Sequence, residues 1–511
     1  MCYRLAVKKL LLASLIVAAG CAPAPAPKSR PTETPALKSR PTVVTATILQ
    51  MNDVYEIMPL GGSGLGGLAR VATLRKQLTA ENPNTFTVLA GDLLSPSALS
   101  SARAGTDGGA LNGQQMVDIM NRLGLQHAVF GNHEFDLKKA DFDKRMQESQ
   151  FAWVSSNVFG ADGAPFPGAK TNVVLTAKNS AGATMRIGMF GLTLDSNNAA
   201  YVSYKDPYET ARAQVAALKG SSDIIIALTH LAFTQDEQLA ETVPGLAMIL
   251  GGHEHLNMTA HRGPDFTPIA KADSNAKSVY IHRLAYDAAT KTLEINSDIV
   301  EITDAIAEDP DVAAAVTKWR DDGFAAFKAS GIDPEKTVTT LTEMLDGREG
   351  SIRNGSTNLT EALTSAMLDA FAGAQVSVFN SGSIRIDDTL GPGPITQYDV
   401  LRVLPYPGNL FLTTMKGSVL SRILVAGHDS SRRNAGAWLQ AGGAAEAEDG
   451  SWTVGGSPID ADAHYRVVIN DYLLNGNERG LEWIKPETSG ITVEPNAPVD
   501  FRVAVIQKMQ K

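Results

Sequence analysis

The 511-residue chain carries 45 Lys and Arg against 55 Asp and Glu, a formal net charge of −10 at pH 7. Seven basic side chains and one acidic one fall in residues 1–40, which leaves 38 basic against 54 acidic groups in the remainder. An acidic surface of this kind repels polymeric nucleic acid. The length of the chain and its hydrophobic fraction of 44% indicate a globular protein of two domains.

The first 20 residues are predicted to be a signal peptide. Three basic residues precede an apolar run that ends at Ala19 and is too short for a membrane-spanning helix. Small residues lead up to Cys21 as in a bacterial lipobox, which predicts cleavage before Cys21 and acylation of its sulfur. An ordinary secreted protein and an uncleaved anchor are the alternatives.

Residues 21–43 are predicted to form a tether. They are rich in Pro, Ala, Lys, Ser and Thr, a composition that stiffens a chain and does not build a core. Because no cysteine follows Cys21, the sequence predicts neither an internal disulfide nor a thiolate metal site.

From residue 44 to about 305, apolar runs alternate with amphipathic stretches at 65–78, 113–123 and 207–218, a pattern typical of a layered α/β domain. Five of the apolar runs are predicted to be buried strands that end in polar side chains. These ends are Asp53, Gly91-Asp92, Gly131-Asn132-His133-Glu134, His230 and Gly252-His253-Glu254-His255. Ligands bind outside the carboxyl ends of parallel strands, so we expect these ends to meet at one edge.

The residue types at these ends favour metal-dependent chemistry. Four of the nine histidines lie at these strand ends. Histidines scattered over the surface would not cluster in this way. Asp136 follows His133 by three residues and is placed to hold it in one tautomer, so that His133 can donate a proton to a leaving oxygen.

The glycine-rich run at 61–67 contains a Gly-x-Gly spacing, which is a weak signal of dinucleotide binding. The preceding strand already ends in Asp53, and no acidic residue closes a second strand at the expected distance. A loop that leads into a helix is the better interpretation.

The order of these motifs resembles that of the calcineurin-like metallophosphoesterases. Asn132-His133-Glu134-Phe135-Asp136 and the later part of the chain resemble the bacterial 5'-nucleotidase and UDP-sugar hydrolase group within that family. The resemblance implies a four-layer α/β sandwich at 44–305 and a second, α+β domain at 335–511. A linker helix within 306–334 would join the two.

The resemblance also implies two divalent ions, Mn, Zn or Co, bridged by Asp92. One ion would be held by Asp53, Asp92 and His255, the other by Asp92, Asn132, His230 and His253, with His133 and Asp136 as the catalytic pair. Family members usually carry Asp-x-His at the first strand end, whereas this chain has Asp53-Val54-Tyr55. A phenol is a poor ligand unless it loses its proton, so we expect fewer protein ligands for the first ion and weaker binding of it.

The second domain is predicted to bind the substrate. By resemblance, Arg353, Asn380 and Arg385 would contact its anionic group, for which the planar guanidinium is well suited, and Tyr406 would stack on a nucleobase. Arg348 fits this set less well because its spacing to Arg353 is looser. The segment 475–481 lacks the second stacking aromatic of the family, although Trp483 lies just beyond it.

The leading hypothesis is therefore a two-metal phosphomonoesterase that hydrolyses nucleoside 5'-monophosphates and is lipid-anchored at a bacterial membrane, in the periplasm or at the cell surface. A 2',3'-cyclic nucleotide phosphodiesterase with 3'-nucleotidase activity, a UDP-sugar hydrolase and a thiosulfate-ester hydrolase share the metal set. A surface lipoprotein that binds nucleotides without turnover is the alternative from another class.

Overall fold

The computed structural model describes residues 40–511, so the predicted signal peptide, Cys21 and nearly all of the predicted tether lie outside the described residues. Two six-stranded sheets account for most of the strands up to residue 301. The strands are β1 (Val43–Met51), β2 (Thr85–Ala90), β3 (His127–Val129), β4 (Ala152–Val154), β5 (Val158–Gly160), β6 (Asn172–Lys178), β7 (Thr184–Thr193), β8 (Val202–Tyr204), β9 (Ile224–His230), β10 (Met248–Gly251), β11 (Met258–Arg262), β12 (Thr267–Lys271), β13 (Ser278–Asp287) and β14 (Thr292–Glu301).

The first sheet has the order β14-β13-β1-β2-β3-β4, and the second has the order β11-β12-β10-β9-β7-β6. Strands β1 to β4 run parallel to one another, as do β7, β9, β10 and β12 in the second sheet, whereas β13, β6 and β11 pair antiparallel with β1, β7 and β12. Apolar residues of both sheets form one buried cluster. Ile48 of β1 and Val88 of β2 lie in it with Ile226 of β9 and Leu250 of β10. The two sheets therefore pack face to face.

Helices cover the outer faces of both sheets. Up to residue 329 they are α1 (Leu68–Glu81), α2 (Gln114–Leu123), α3 (Lys139–Glu148), α4 (Pro207–Leu218), α5 (Phe233–Thr242) and α6 (Pro310–Ala329). Leu89 of the first sheet clusters with apolar residues of α1 and α2, and Ile225 of the second clusters with those of α4 and α5. The result is the predicted four-layer α/β sandwich.

Helix α6 lies within 306–334, the range for which a linker helix is predicted. It begins at Pro310, where proline suits the first helical position, and the Asp309 carboxylate accepts a hydrogen bond from the Val312 N–H at 3.2 Å. Its buried face packs on α1 and α2, and the Trp319 indole donates to Asp118 at 2.8 Å. The helix is thus held against the sandwich along its length.

A third large sheet, in the order β21-β17-β25-β20-β26, organises the rest of the chain, with β27 paired to β20. The strands of this region are β15 (Thr337–Leu341), β16 (Leu345–Asp346), β17 (Val376–Asn380), β18 (Thr389–Leu390), β19 (Gly393–Thr396), β20 (Asn409–Lys416), β21 (Leu439–Gly442), β22 (Ala444–Glu446), β23 (Trp452–Val454), β24 (Ser457–Pro458), β25 (His464–Asn470), β26 (Ile491–Val493) and β27 (Val499–Asp500). Because β17 pairs parallel with β25 while β20 pairs antiparallel with it, the sheet is mixed.

The helices of this second region are α7 (Glu349–Ile352), α8 (Asn358–Asp369), α9 (Gln397–Val403), α10 (Gly417–Gly427), α11 (Asp471–Leu474) and α12 (Phe501–Met509). Polar contacts, one buried and one partly buried, join the region to the sandwich. The Tyr398 hydroxyl donates to Glu56 at 2.7 Å, and the Lys277 ammonium lies 2.7 Å from the Asp388 carboxylate. Across residues 40–511, no helix combines the length and apolar character needed to cross a bilayer.

Candidate active site

The predicted strand ends converge, but they come from two sheets. Asp53, Asp92 and Asn132 follow β1, β2 and β3 of the first sheet, whereas His230 and His253 belong to the ends of β9 and β10 of the second. Since the sheets pack face to face, their carboxyl ends form one polar edge.

Asp53, Asp92 and His255 form the most compact group of candidate ligands, with one donor atom from each within 4.8 Å of the others. Asp53 Oδ1 lies 3.4 Å from His255 Nε2. Burial raises the pKa of both aspartates, but the neighbouring histidines outweigh burial and hold both values below the usual range. Two buried carboxylates that stay ionised attract a cation.

Tyr55 lies inside this group. Its hydroxyl donates to Asp92 Oδ2 at 2.8 Å and lies 3.0 Å from His255 Nε2 and 3.4 Å from Asp53 Oδ1. Burial, Asp92 and Asp53 raise the pKa of Tyr55 well above its ordinary value. The side chain is therefore a neutral donor toward the carboxylates.

His230 faces the remaining candidate ligands. Its Nδ1 lies 2.8 Å from the Ala90 carbonyl oxygen and must carry a proton to donate there. Its Nε2 then faces two acceptors at 3.2 Å, Asn132 Oδ1 and Asp92 Oδ2. Only a second proton or a metal ion on Nε2 makes this arrangement favourable, so the donor set fits a divalent cation.

His253 completes the candidate set. Its backbone N–H donates to Asp53 Oδ2 at 2.8 Å, and its ring centroid lies 5.3 Å from that of His230. Burial and the neighbouring His230 lower the pKa of His253 to about 3. A neutral imidazole is the form that binds metal.

Two glycines make room for the carboxylates. A Cβ atom on Gly131 would fall 2.0 Å from Asp92 Oδ1, and one on Gly252 would fall 2.3 Å from the Ala90 carbonyl oxygen and 2.9 Å from Asp53 Oδ2.

The Glu134 carboxylate accepts hydrogen bonds from the backbone N–H groups of Gly131, Asp92, Leu93 and Leu94. This buried side chain therefore fixes the two loops against each other.

His133 and Asp136 form the predicted pair, with Nδ1 and Oδ2 2.8 Å apart. Asn197 donates to the other Asp136 oxygen at 2.9 Å and also to the Asn132 carbonyl. Burial lowers the pKa of His133, but Asp136 and Asp92 outweigh it and raise the value above the ordinary one. His133 is therefore set up to hold a proton near neutral pH.

The polar edge opens into a cleft of about 1050 Å³ whose far wall belongs to the second region. Arg353 and Arg385 line it, and the Nε atom of each is buried without a hydrogen-bond partner in residues 40–511. Arg353 is paired with Glu349, whereas no carboxylate oxygen of the described residues is paired with Arg385. Arg385 thus presents to the cleft a guanidinium group whose Nε is buried and unpaired.

Tyr406 and Asn380 also line the cleft. Tyr406 is 45% exposed, with the Arg385 guanidinium carbon 5.7 Å from its ring centroid. Its hydroxyl lies 2.9 Å from Ser95 Oγ and 3.5 Å from Asp136 Oδ2. Through Tyr406 the second region contacts Asp136, the partner of His133. Asn380 Oδ1 accepts hydrogen bonds from Ser383 and Asn470.

Two residues named from the sequence lie elsewhere. Arg348 is paired with Asp346 at 2.8 Å and its side chain is 52% exposed. Trp483 packs under Arg422, with the guanidinium carbon 3.9 Å from its ring centroid.

The sequence interpretation missed several residues of the site. Tyr472 lines the cleft and is 42% exposed. It follows β25 by two residues, so the strand-end argument used for the metal ligands would have found it. Asp387 lies 3.0 Å from His255 Nδ1, a contact for which the sequence holds no signal.

Comparison with known proteins agrees with this geometry. Residues 46–257 match the model of the calcineurin-like phosphoesterases, and residues 337–485 match that of the 5'-nucleotidase C-terminal domain. The human 5'-nucleotidase is 24% identical over 86% of this chain and 84% of its own, and the Yersinia enterocolitica protein UshA is 24% identical over 84% of this chain and 86% of its own.

The crystal structure of a 5'-nucleotidase precursor from Thermus thermophilus has the same fold. It superposes with a TM-score of 0.68 at 23% identity and covers 91% of this chain and 96% of its own. With both family models matched in order, the chain belongs to the 5'-nucleotidase family of metal-dependent phosphoester hydrolases, which joins a calcineurin-like phosphoesterase domain to a 5'-nucleotidase C-terminal domain.

Proposed function

We propose that the protein hydrolyses nucleoside 5'-monophosphates with the help of two divalent ions. The observation that carries the proposal is the single cleft that joins the buried ligand edge to Arg385 and Tyr406. A phosphate ester fits the polar end of the cleft, and a planar base fits against the ring of Tyr406. Relatives that are named 5'-nucleotidases support the choice of substrate.

The proposed ligands divide around Asp92. Asp53, Asp92 and His255 would hold one ion, while Asp92, Asn132, His230 and His253 would hold the other, and manganese, zinc and cobalt suit these donors. Ions bound there would supply positive charge that stabilises displacement at phosphorus and makes water a better nucleophile.

Residues of the chain perform the remaining work. Arg353 and Arg385 bind the phosphate oxygens through charge-assisted hydrogen bonds, and Asn380 orients the substrate beside them. Tyr406 stacks on the base. His133, held by Asp136, donates its proton to the ester oxygen as the nucleoside leaves, and the raised pKa of His133 keeps that proton available at neutral pH.

The test is phosphate release from AMP, a 2',3'-cyclic nucleotide and UDP-glucose by the full chain supplied with manganese, cobalt or zinc. We expect AMP to be preferred, Asp92→Ala to abolish release, and His133→Asn to lower kcat about 10²- to 10⁴-fold with ion binding retained. Preference for the cyclic nucleotide or UDP-glucose would replace the substrate assignment. Bound ions without release from any of the three would favour a sulfur ester or a binding protein without turnover.

We also propose that the protein works outside the cytoplasm, anchored through lipid on Cys21 and held off the membrane by the tether at 21–43. The domain boundaries proposed above, 44–305 and 335–511 with the linker between them, leave both catalytic and substrate-binding residues beyond this tether. Metabolic labelling with palmitate should mark the wild-type chain and spare Cys21→Ala. Equal labelling of the two would refute the anchor.

A further inference from the structure

A buried lysine lies beneath the ligand edge. Lys271, the last residue of β12, is 1% exposed, and its Nζ lies 2.6 Å from the Leu231 carbonyl oxygen, 2.6 Å from Glu254 Oε2 and 3.0 Å from Asp236 Oδ2. The contacts with Leu231 and Glu254 are hydrogen bonds, and the contact with Asp236 is an ion pair. Burial lowers the pKa of Lys271, but the two carboxylates outweigh it and raise the value, so the charge persists.

Two of these three contacts adjoin the proposed metal ligands. Leu231 follows His230 directly, at the end of β9. Glu254 stands between His253 and His255, in the loop after β10. The lysine therefore bridges the two strand ends that supply the imidazoles of the second sheet.

The bridge is anchored on a third element. Asp236 lies on α5, and the other Glu254 oxygen accepts a hydrogen bond from the Phe233 N–H at the start of that helix. A Cβ atom on Gly251 would fall 2.8 Å from Lys271 Cε and 2.9 Å from Asp236 Oδ2. Because Gly251 has no side chain, Lys271 and Asp236 can lie next to the end of β10.

Burying an ammonium group costs free energy that carboxylates offset only when the geometry is good. One carboxylate would neutralise the charge of Lys271, yet the site supplies two and a carbonyl. Two of the three contacts, those with Leu231 and Glu254, are made with the segments that carry the proposed metal ligands. This arrangement links the segment after His230 to the segment that carries His253.

We propose that Lys271 is a positioning residue for the ion bound by His230 and His253. It acts through Leu231 and Glu254 and touches neither the ion nor the substrate. The inference rests on the proposed two-ion function. Partners that orient metal ligands typically contribute 10- to 100-fold to metal affinity.

The experiment compares ion binding by the metal-free full chain with that of Lys271→Met, using zinc in competition with a chelator. We expect the affinity for one of the two ions to fall about 10- to 100-fold, while the other stays within about threefold. Lys76→Met is the matched control, because Lys76 is 57% exposed and pairs with Asp309 at the start of α6, away from the ligands. It should bind both ions like the wild type.

Loss of Lys271 leaves the buried Asp236 carboxylate without its cation and removes one partner of the partly buried Glu254, so the variant can fail to fold. The deciding variant is therefore Lys271→Met with Asp236→Asn and Glu254→Gln, which keeps the shapes and removes all three charges. A melting curve like the wild type's with one weakened ion would support the proposal. Two ions bound at wild-type affinity, equal weakening of both, or failure of this neutral variant to fold would overturn it. Fewer than two ions on the wild-type chain would instead refute the proposed function.

Discussion

Replacement of Tyr55 tests how the first proposed ion is held. The phenol hydroxyl lies 2.8 Å from Asp92 Oδ2 and 3.0 Å from His255 Nε2. An ion coordinated by nitrogen and oxygen ligands at about 2.0–2.2 Å would have to displace this hydrogen bond. The raised pKa of Tyr55 keeps the phenol protonated, so it competes with the ion and adds no charge to its shell.

The size of the effect follows from the hydrogen bond that is lost. A hydrogen bond to a charged group contributes about 1.5–3 kcal/mol, which corresponds to about a 10- to 150-fold change in affinity. Tyr55→Phe removes this competition without adding a ligand, so binding of the first ion should tighten by up to that factor. Tyr55→His supplies an imidazole as well and should tighten it further.

The assay is titration of the metal-free full chain with manganese, followed by calorimetry, for the wild type and both variants. We expect the wild type to bind one ion more weakly than the other and the weaker site to improve in the order Tyr, Phe, His. If Tyr55→Phe binds the first ion less tightly, the hydroxyl is itself a ligand. Two equal, tight sites in the wild type would likewise refute the reasoning.

Three other predictions concern separate features. Gly131→Ala, whose methyl group would meet Asp92 Oδ1 at 2.0 Å, should lower ion content and reduce kcat/KM at least about 100-fold, whereas Gly220→Ala, with open space around it, should change neither. Arg385→Met should reduce kcat/KM for AMP about 10- to 150-fold with no loss of melting temperature; a fall in melting temperature would contradict its assignment as an unpaired binding group. Burial lowers the pKa of His127 to about 4, so the unfolded chain, with an ordinary value of about 6.5, binds more protons and stability falls as pH drops below about 6.5. His127→Leu should therefore raise the free energy of unfolding above that of the wild type, by on the order of 1 kcal/mol more at pH 5 than at pH 7.5. Urea unfolding measures this increase, and an equal increase at both pH values would refute the pKa shift.

Local signals in the sequence were enough to predict most elements near the site. Helix α4 occupies Pro207–Leu218 as predicted, because Asp206 accepts a hydrogen bond from the Glu209 N–H at 2.7 Å and proline begins the first turn. The glycine-rich run at 61–67 is a loop before α1, as expected. Apolar runs that break into polar turns likewise located the strand ends, because a short apolar run bounded by turn residues is typical of a buried strand.

Partnerships between distant segments could not be predicted. Ser95 and Tyr406 are 311 residues apart in the chain, yet their hydroxyls are within hydrogen-bond distance. Lys271 gives no sign in the sequence that it is buried, because lysine is almost never fully buried without a partner and its partners become visible only in the fold. The assignment of the strand ends to two sheets depends in the same way on packing between the sheets, as in the apolar cluster that they share.

The backbone at the ligand edge shows why this site is built from loops beyond strand ends. Asp53, Asp92, His253 and His255 have φ values of 52°, 57°, 94° and 61°. Side chains other than glycine rarely adopt this left-handed region, and each such residue costs about 1–3 kcal/mol unless its surroundings hold it. The Glu134 and Lys271 networks provide such surroundings on the two sheets. The strained loops direct carboxylates and imidazoles toward one point, so the buried charges beneath them and the ions proposed above them stabilise the same conformation.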